Sequence, residues 1–118
     1  MFQVFRVAEF ENDIQKELSY EQQRQVKILE RKQLTINPYV GDPLGYRFFR
    51  EKKIGSKRIY YLIYDKLQAV LMVAISDKKA QQKTIDIIKT RLDEFYWIIL
   101  EIIKRRGESD RASRPQGP

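Results

Sequence analysis

The sequence predicts an α+β domain in the order β-α-α-β-β-β. An N-terminal strand and a helical hairpin pack on a small, mostly antiparallel sheet, and a long C-terminal helix follows. Three observations carry this. Residues 44–76 hold three consecutive runs of aromatic and β-branched residues, separated by Gly, Ser, Asp and Lys as hairpins require. Before them, apolar residues recur at i, i+4 and i+8, the period of a helix buried on one side. After them, spacings of three and four residues run from Ile85 to Ile102 as a heptad-like seam.

Taken in order, Phe2–Ala8 alternates in polarity and reads as an edge strand. Phe10, Ile14 and Leu18 give the first helix its apolar stripe. Ser19, with Gln22 three residues on, is a capping box that opens the second helix. Val26, Ile28 and Leu29 are its expected buried face, with Lys27, Glu30, Arg31 and Lys32 in solvent. Asn37-Pro38 ends the helix, and Gly41-Asp42-Pro43-Leu44-Gly45 keeps the chain in turns. Strands are expected at Tyr46–Lys53, Arg58–Tyr64 and Gln68–Ile75, with turns at Gly55-Ser56 and Asp65-Lys66. Asp77 is a fair N-cap for a helix over 78–106, whose seam is Ile85, Ile88, Leu92, Phe95, Ile99 and Ile102. The stretch FYWIILEII at 95–103 also has the β-branched content of a fifth strand; continuity of the seam favours helix. Residues 107–118 are polar with Gly and Pro, and read as a disordered tail to a single domain over 1–106.

At 118 residues there is material for one core. A net charge of +7 favours an anionic partner, nucleic acid or an acidic protein. With no cysteine, disulfides and thiolate metal sites are excluded. With no histidine, the usual metal ligand and the usual neutral-pH base are absent, so neither metal nor cofactor is expected. The N-terminus lacks the pattern of a signal peptide, and the longest apolar run, 95–100, is far short of the roughly 20 residues that span a bilayer. A soluble cytoplasmic protein without membrane contact is the expectation. The charge is concentrated: Arg47, Arg50, Lys52, Lys53, Lys57 and Arg58 are opposed within that run by Glu51 alone. An edge strand guarded against aggregation explains some of this; the excess of cations favours anion binding.

Asn37-Pro38-x-x-Gly41-x-Pro43-Leu44, the basic strand after it, and Lys57-Arg58-Ile59-Tyr60-Tyr61 together resemble the RelE/ParE superfamily of toxins from type II toxin–antitoxin systems. Arg58 and Tyr61 match that family's Arg-x-x-Tyr strand, and the likeness spans roughly residues 2–80. The stretches FFREKKIGSKRIYYLIYD and VAISDKKAQQKTID look most like an archaeal-type branch of RelE proteins. The resemblance implies one of two activities. RelE-like members cleave mRNA in the ribosome; ParE-like members inhibit DNA gyrase and cut no RNA. Either is neutralised by an antitoxin, for RelE a RelB-like, acidic and helical protein.

Cleaving RNA through its 2′-OH needs a base, cations for the phosphorane and an acid for the leaving oxygen, and no metal. Strand alternation places Arg58, Tyr60, Leu62 and Tyr64 on one face, and Ile59, Tyr61 and Ile63 on the other. The second face should pack on the helices, leaving Arg58 and Tyr60 toward a groove. Arg50 and Lys52 are expected to join Arg58 across the hairpin, with Lys78 and Lys79 arriving from the end of the last strand. Arg58 is then the phosphate clamp, since a guanidinium grips two oxygens. Lys52 or Lys53 is the base, because a lysine crowded by cations gives up its proton more readily. Tyr60 stacks a base or donates a proton, and Arg47, Arg50, Lys57, Lys78 and Lys79 hold phosphates. One departure counts against cleavage. The best-known nucleases of the family carry a tyrosine in their C-terminal segment, where Ala80–Ile87 offers only Gln81, Gln82, Lys83 and Thr84. A gyrase-type inhibitor and a non-toxic basic RNA-binding module therefore stay open as alternatives. The seam packs against something, and the half bearing Phe95, Trp97, Ile99 and Ile102 exceeds what the family core needs. That half suits a partner, an antitoxin or a second copy in a homodimer.

Overall fold

In the computed structural model, which describes the backbone of residues 1–113 and side chains through Gly107, one five-stranded sheet carries helices on both faces. The elements are β1 (Gln3–Arg6), α1 (Ala8–Glu17), α2 (Tyr20–Ile28), β2 (Asp42–Pro43), β3 (Phe49–Ile54), β4 (Lys57–Tyr64), β5 (Ala69–Asp77), α3 (Gln81–Thr90) and α4 (Leu92–Ser113). Their order across the sheet is β1-β5-β4-β3-β2. Only the β1–β5 pair is parallel; the other three are antiparallel. The basic strand β3 is thus next to the edge, shielded by the two residues of β2.

The hairpin forms for the reasons its sequence gives. Phe10, Ile14 and Leu18 are buried. The Ser19 hydroxyl accepts from the Gln22 amide while the Gln22 side chain accepts from the Ser19 amide, satisfying two of the donors a helix start leaves open. Beyond α2 the coil widens into a π-helical turn, Leu29–Gln33, with the Leu34 amide bonded to the Leu29 carbonyl. Five-residue spacing rotates the buried stripe. Ile28, expected inside, is exposed, whereas Glu30, expected in solvent, is buried against Arg6 at 2.6 and 2.7 Å. That pairing holds the Arg6 guanidinium well above its ordinary pKa.

Register assigns the faces. Ile59, Tyr61 and Ile63 lie with Met72 and Val70 of β5, and with Val4 and Arg6 of β1, on the hairpin side. Arg58, Tyr60 and Leu62 lie with Glu51, Phe49 and Leu71 on the other. A bulge at Tyr60/Tyr61 leaves Val73 as the extra residue of β5. The second face is covered as well, which the alternation alone did not disclose. Gln81 at the start of α3 bonds Glu51, Tyr96 of α4 packs near Tyr64, and Arg106 lies over Phe5.

The helix expected over 78–106 is two helices. Lys78 and Lys79 lie in a turn, where the Asp77 carboxylate accepts from the Ala80 amide before α3 begins, so Asp77 caps the turn and not the helix. At Arg91 the backbone leaves helical geometry (φ −113°, ψ 15°). The Arg91 side chain holds Glu9 of α1 at 2.9 and 3.1 Å, pairs with Glu94 and lies 4.6 Å from the Phe95 ring centre. The corner lets α4 change direction while both halves of the seam stay inside: Ile85, Ile88, Phe95 and Ile99 are all buried. Phe95 and Ile99 are therefore part of this chain's own core and unavailable to a partner, and Ile102 packs against the same core half-buried. Trp97 is exposed. The helix also runs on through Gly107 to Ser113, so the expected tail does not begin at 107; residues 114–118 lie outside those described.

Candidate nucleic-acid interface

One end of the sheet gathers the cations. Lys53 stands opposite Arg58 and Arg58 opposite Ser76; one step outward, Lys57 stands opposite Asp77, and Lys78 and Lys79 follow directly. Five cations, from β3, β4 and the turn after β5, thus have their backbone positions at one end of the sheet. Lys53, Lys78 and Lys79 are exposed, and Lys52 is half-buried. Lys57 is drawn toward the hairpin, 3.6 Å from the Glu17 carboxylate. Lys52 and Lys53 line a depression of about 140 Å³ with Val40, Gly41, Asp42 and Glu51.

Arg58 occupies this end in a way the sequence did not suggest. It is only 8% exposed, and its Nε lies 3.0 Å from Glu51 Oε1, itself in a residue 4% exposed. The Nε–H is not aimed along that line, so the contact is an ion pair without an aligned hydrogen bond. Glu51 in turn accepts 2.9 and 3.1 Å bonds from the Gln81 side-chain amide. The open groove expected over Arg58 is instead closed by α3, with Glu51 where a phosphate was expected.

Three further expectations are corrected. Tyr60 is wholly buried, its hydroxyl 2.8 Å from Ser76 Oγ, and burial raises its pKa; it has no surface on which a base can stack. Arg50 is tied to backbone: it donates to the carbonyls of Arg47 (2.9 Å), Gly41 (2.8 Å) and Tyr39 (3.4 Å), which fixes the loop instead of leaving a phosphate ligand. Arg50 and Lys52 also face the hairpin, opposite Tyr61 and Ile59, and so do not join Arg58. Lys53 does. Arg47 is exposed but lies before β3, at the end of that strand away from the lysines, over the Tyr39 ring and 3.6 Å from Asp65.

The Arg-x-x-Tyr pattern acquires a physical reading. Three residues apart on a strand, Arg58 and Tyr61 point to opposite faces. The Tyr61 hydroxyl donates to the Pro38 carbonyl (2.7 Å) and accepts from the Gly41 amide (3.0 Å), pinning the loop, and its burial pushes its pKa up to about 12. A Cβ on Gly41 would come within 2.6 Å of that hydroxyl and 2.7 Å of the Glu51 carbonyl oxygen, which only glycine avoids. Sequence reasoning passed over Glu51 and Gln81. The signal for Glu51 was there, a lone acid among six cations; for Gln81 there was none. Among the described residues, no cluster of three or more acidic side chains is placed to hold a metal ion, and no helix is long and apolar enough to cross a membrane.

This architecture has the fold of solved RelE structures. The chain is similar to the toxin–antitoxin complex RelBE2 of Mycobacterium tuberculosis, at 21% identity and TM-score 0.57 over 65% of this chain and 98% of the other. It is similar to the isolated RelE toxin of E. coli, at 12% identity and TM-score 0.56 over 75% and 99%. The archaeal RelE–RelB complex of Pyrococcus horikoshii matches at 15% identity and TM-score 0.50 over 65% and 94%. At these identities the likeness defines the fold and singles out no archaeal branch. No family model matches the chain, and no curated protein sequence matches it significantly.

Proposed function

We propose that this protein is the toxin of a toxin–antitoxin pair and acts on translated mRNA at the lysine end of its sheet. What supports this reading is that Lys53, Lys78 and Lys79, all exposed, lie at the same end of the sheet as Arg58, on a fold shared with solved RelE structures. In the proposed reaction Lys53, in its neutral form, takes the proton of a 2′-OH. The 2′ oxygen bonds to phosphorus, the bond from phosphorus to the 5′ oxygen breaks, and a protonated Lys78 or Lys79 supplies the leaving oxygen's proton. Arg58 stabilises the phosphorane once the phosphate displaces Glu51. Two of the solved structures it resembles are toxin–antitoxin complexes, which supports an acidic, helical antitoxin as the neutralising partner of a +7 protein.

The test is induced expression followed by primer extension on translated messages. Cuts that require translation and vanish with Lys53→Ala establish the reaction. A second reading, a non-cleaving inhibitor of a topoisomerase, is favoured by the buried state of Arg58 and Tyr60. Growth arrest with intact messages and blocked supercoiling selects it.

A further inference from the structure

Two buried ion pairs in this fold are built differently. Arg6 meets Glu30 through two aligned hydrogen bonds of 2.6 and 2.7 Å, and a third, of 2.9 Å, ties it to Glu11. Arg58 is more deeply buried than Arg6, yet has one ionic partner among the described residues, Glu51. Its Nε–H is not aimed at that carboxylate, 3.0 Å away. A guanidinium held for stability alone takes the two-pronged form that Arg6 shows; the Arg58 pair falls short of it. The Glu51 carboxylate is instead held by the side-chain amide of Gln81, at 2.9 and 3.1 Å, so its position depends on α3. Glu51 also walls the depression of about 140 Å³ that Lys52 and Lys53 line, and thus stands between that depression and Arg58.

We propose that α3 is a lid: Gln81 latches Glu51 onto Arg58, and the guanidinium becomes available to an RNA phosphate only when the latch opens. α3 is a ten-residue helix with a break at each end, the turn over 78–80 and the corner at Arg91. Its buried side chains are Ile85 and Ile88, both beyond its first turn. The corner is the fixed end. Arg91 binds Glu9 of α1 and Glu94, and Phe95 and Ile99 bury the start of α4. Lys89, its ammonium 5.9 Å from the Tyr46 ring centre, holds the same end. The Gln81 end is about 15 Å away along the helix and carries the latch, just past a turn that the Asp77 carboxylate ties to the Ala80 amide. The charges here favour opening by an anion. Lys57 is drawn to Glu17, but exposed Lys53, Lys78 and Lys79, with Lys52, outweigh Asp77 and the exposed Asp42 that stands opposite Glu51 on β2. A phosphate that reaches Arg58 takes the place of Glu51, and the freed carboxylate and amide turn to water. The inference rests on the reading above for its ligand, whereas the lid itself does not depend on strand cleavage.

Phenylglyoxal modifies accessible guanidinium groups, and mass spectrometry of peptides from the treated full chain reads each arginine separately. Arg6 is the internal control, because no residue of α3 holds its pair. Gln81→Leu removes the latch and should speed modification of Arg58 about tenfold, the change that losing one hydrogen bond to a charged group produces. Gln81→Glu, which sets a second carboxylate against Glu51, should speed it further, and Arg6 should react as in the parent. A deoxyoligonucleotide of about 12 nucleotides, within the usual single-strand site size, has no 2′-OH and cannot be cleaved by this route. It should protect Arg58 and at the same time speed hydrogen exchange in α3. An Arg58 rate that neither substitution changes overturns the lid. So does a rate that rises together with that of Arg6, which marks general loosening of the fold. An oligonucleotide that leaves Arg58 unprotected, or protects it with α3 exchange unchanged, overturns the proposal as well. Failure of the endonuclease reading is separate: intact messages on expression, with the Arg58 rates ordered as above, remove the nuclease and keep the lid.

Discussion

The two faces of β4 are both covered, yet by different physical means. On the hairpin side, Ile59, Tyr61 and Ile63 meet α1 and α2 through apolar side chains, and Tyr61 spends its hydroxyl on the loop before β2. On the α3 side the core of Tyr60, Leu62, Phe95 and Ile99 is equally buried. Its margin, however, is closed by an ion pair and one amide, Arg58–Glu51–Gln81. An apolar seal gains from water exclusion wherever it lies. A buried ion pair gains little net stability, because desolvation of both charges offsets their attraction, but losing one partner strands the other. Over β4 the hairpin face is therefore sealed by apolar burial, its own ion pair, Arg6–Glu30, lying out at β1, whereas the margin of the α3 face is closed at β4 itself by the Arg58–Glu51 pair.

Substitutions sharpen this contrast. Phe10→Ala removes a fully buried ring from the hairpin seal and should cost about 3–5 kcal/mol, read as a large fall in the denaturation midpoint. Glu51→Ala should cost about 3 kcal/mol by leaving Arg58 buried without its anion. Glu51→Ala with Arg58→Met should recover most of that loss if the pair only fills space, and a double variant as unstable as the single would contradict this account. Tyr61→Phe leaves the Gly41 amide and Pro38 carbonyl unpaired, at about 1–3 kcal/mol. It also carries a pH signature. The tyrosine's ordinary pKa of 10.0 is raised to about 12 in the fold, so its contribution is intact below pH 10 and is lost as pH climbs toward 12. Stability of the parent should fall across that window, and the Phe variant should fall less. Ser19→Ala, which opens the capping box of α2, should cost about 1 kcal/mol and nothing in RNA affinity.

Features set by local pattern were legible in the sequence. The stripe of Phe10, Ile14 and Leu18, the Ser19–Gln22 box and the three strands follow from spacing and turn chemistry, and the structure has them within a few residues. Alternation also separated Arg58 from Tyr61 correctly. What it cannot say is which later element will cover a face, and so Arg58 and Tyr60 were assigned to a groove that α3 and α4 fill. The corner at Arg91 was hidden for a related reason. The seam keeps its period straight through it, and the turn depends on Glu9, more than eighty residues away in sequence. Glu30 was misplaced because a π-helical turn shifts the buried stripe without leaving a mark in the composition.

The parallel pairing of β1 with β5 governs how the molecule is made. Gln3 finds its strand partner at Ala69 and Arg6 finds its at Met72, so β1 has no strand partner until β5 has been synthesised. Contacts of such separation close a long loop before they return any stabilisation, which slows folding. Glu9 waits longer still, for Arg91. During synthesis the β3–β4 hairpin can form on its own, but its Arg58 face stays uncovered until α3 emerges. The nascent chain therefore displays its cations before it has the means to shield them.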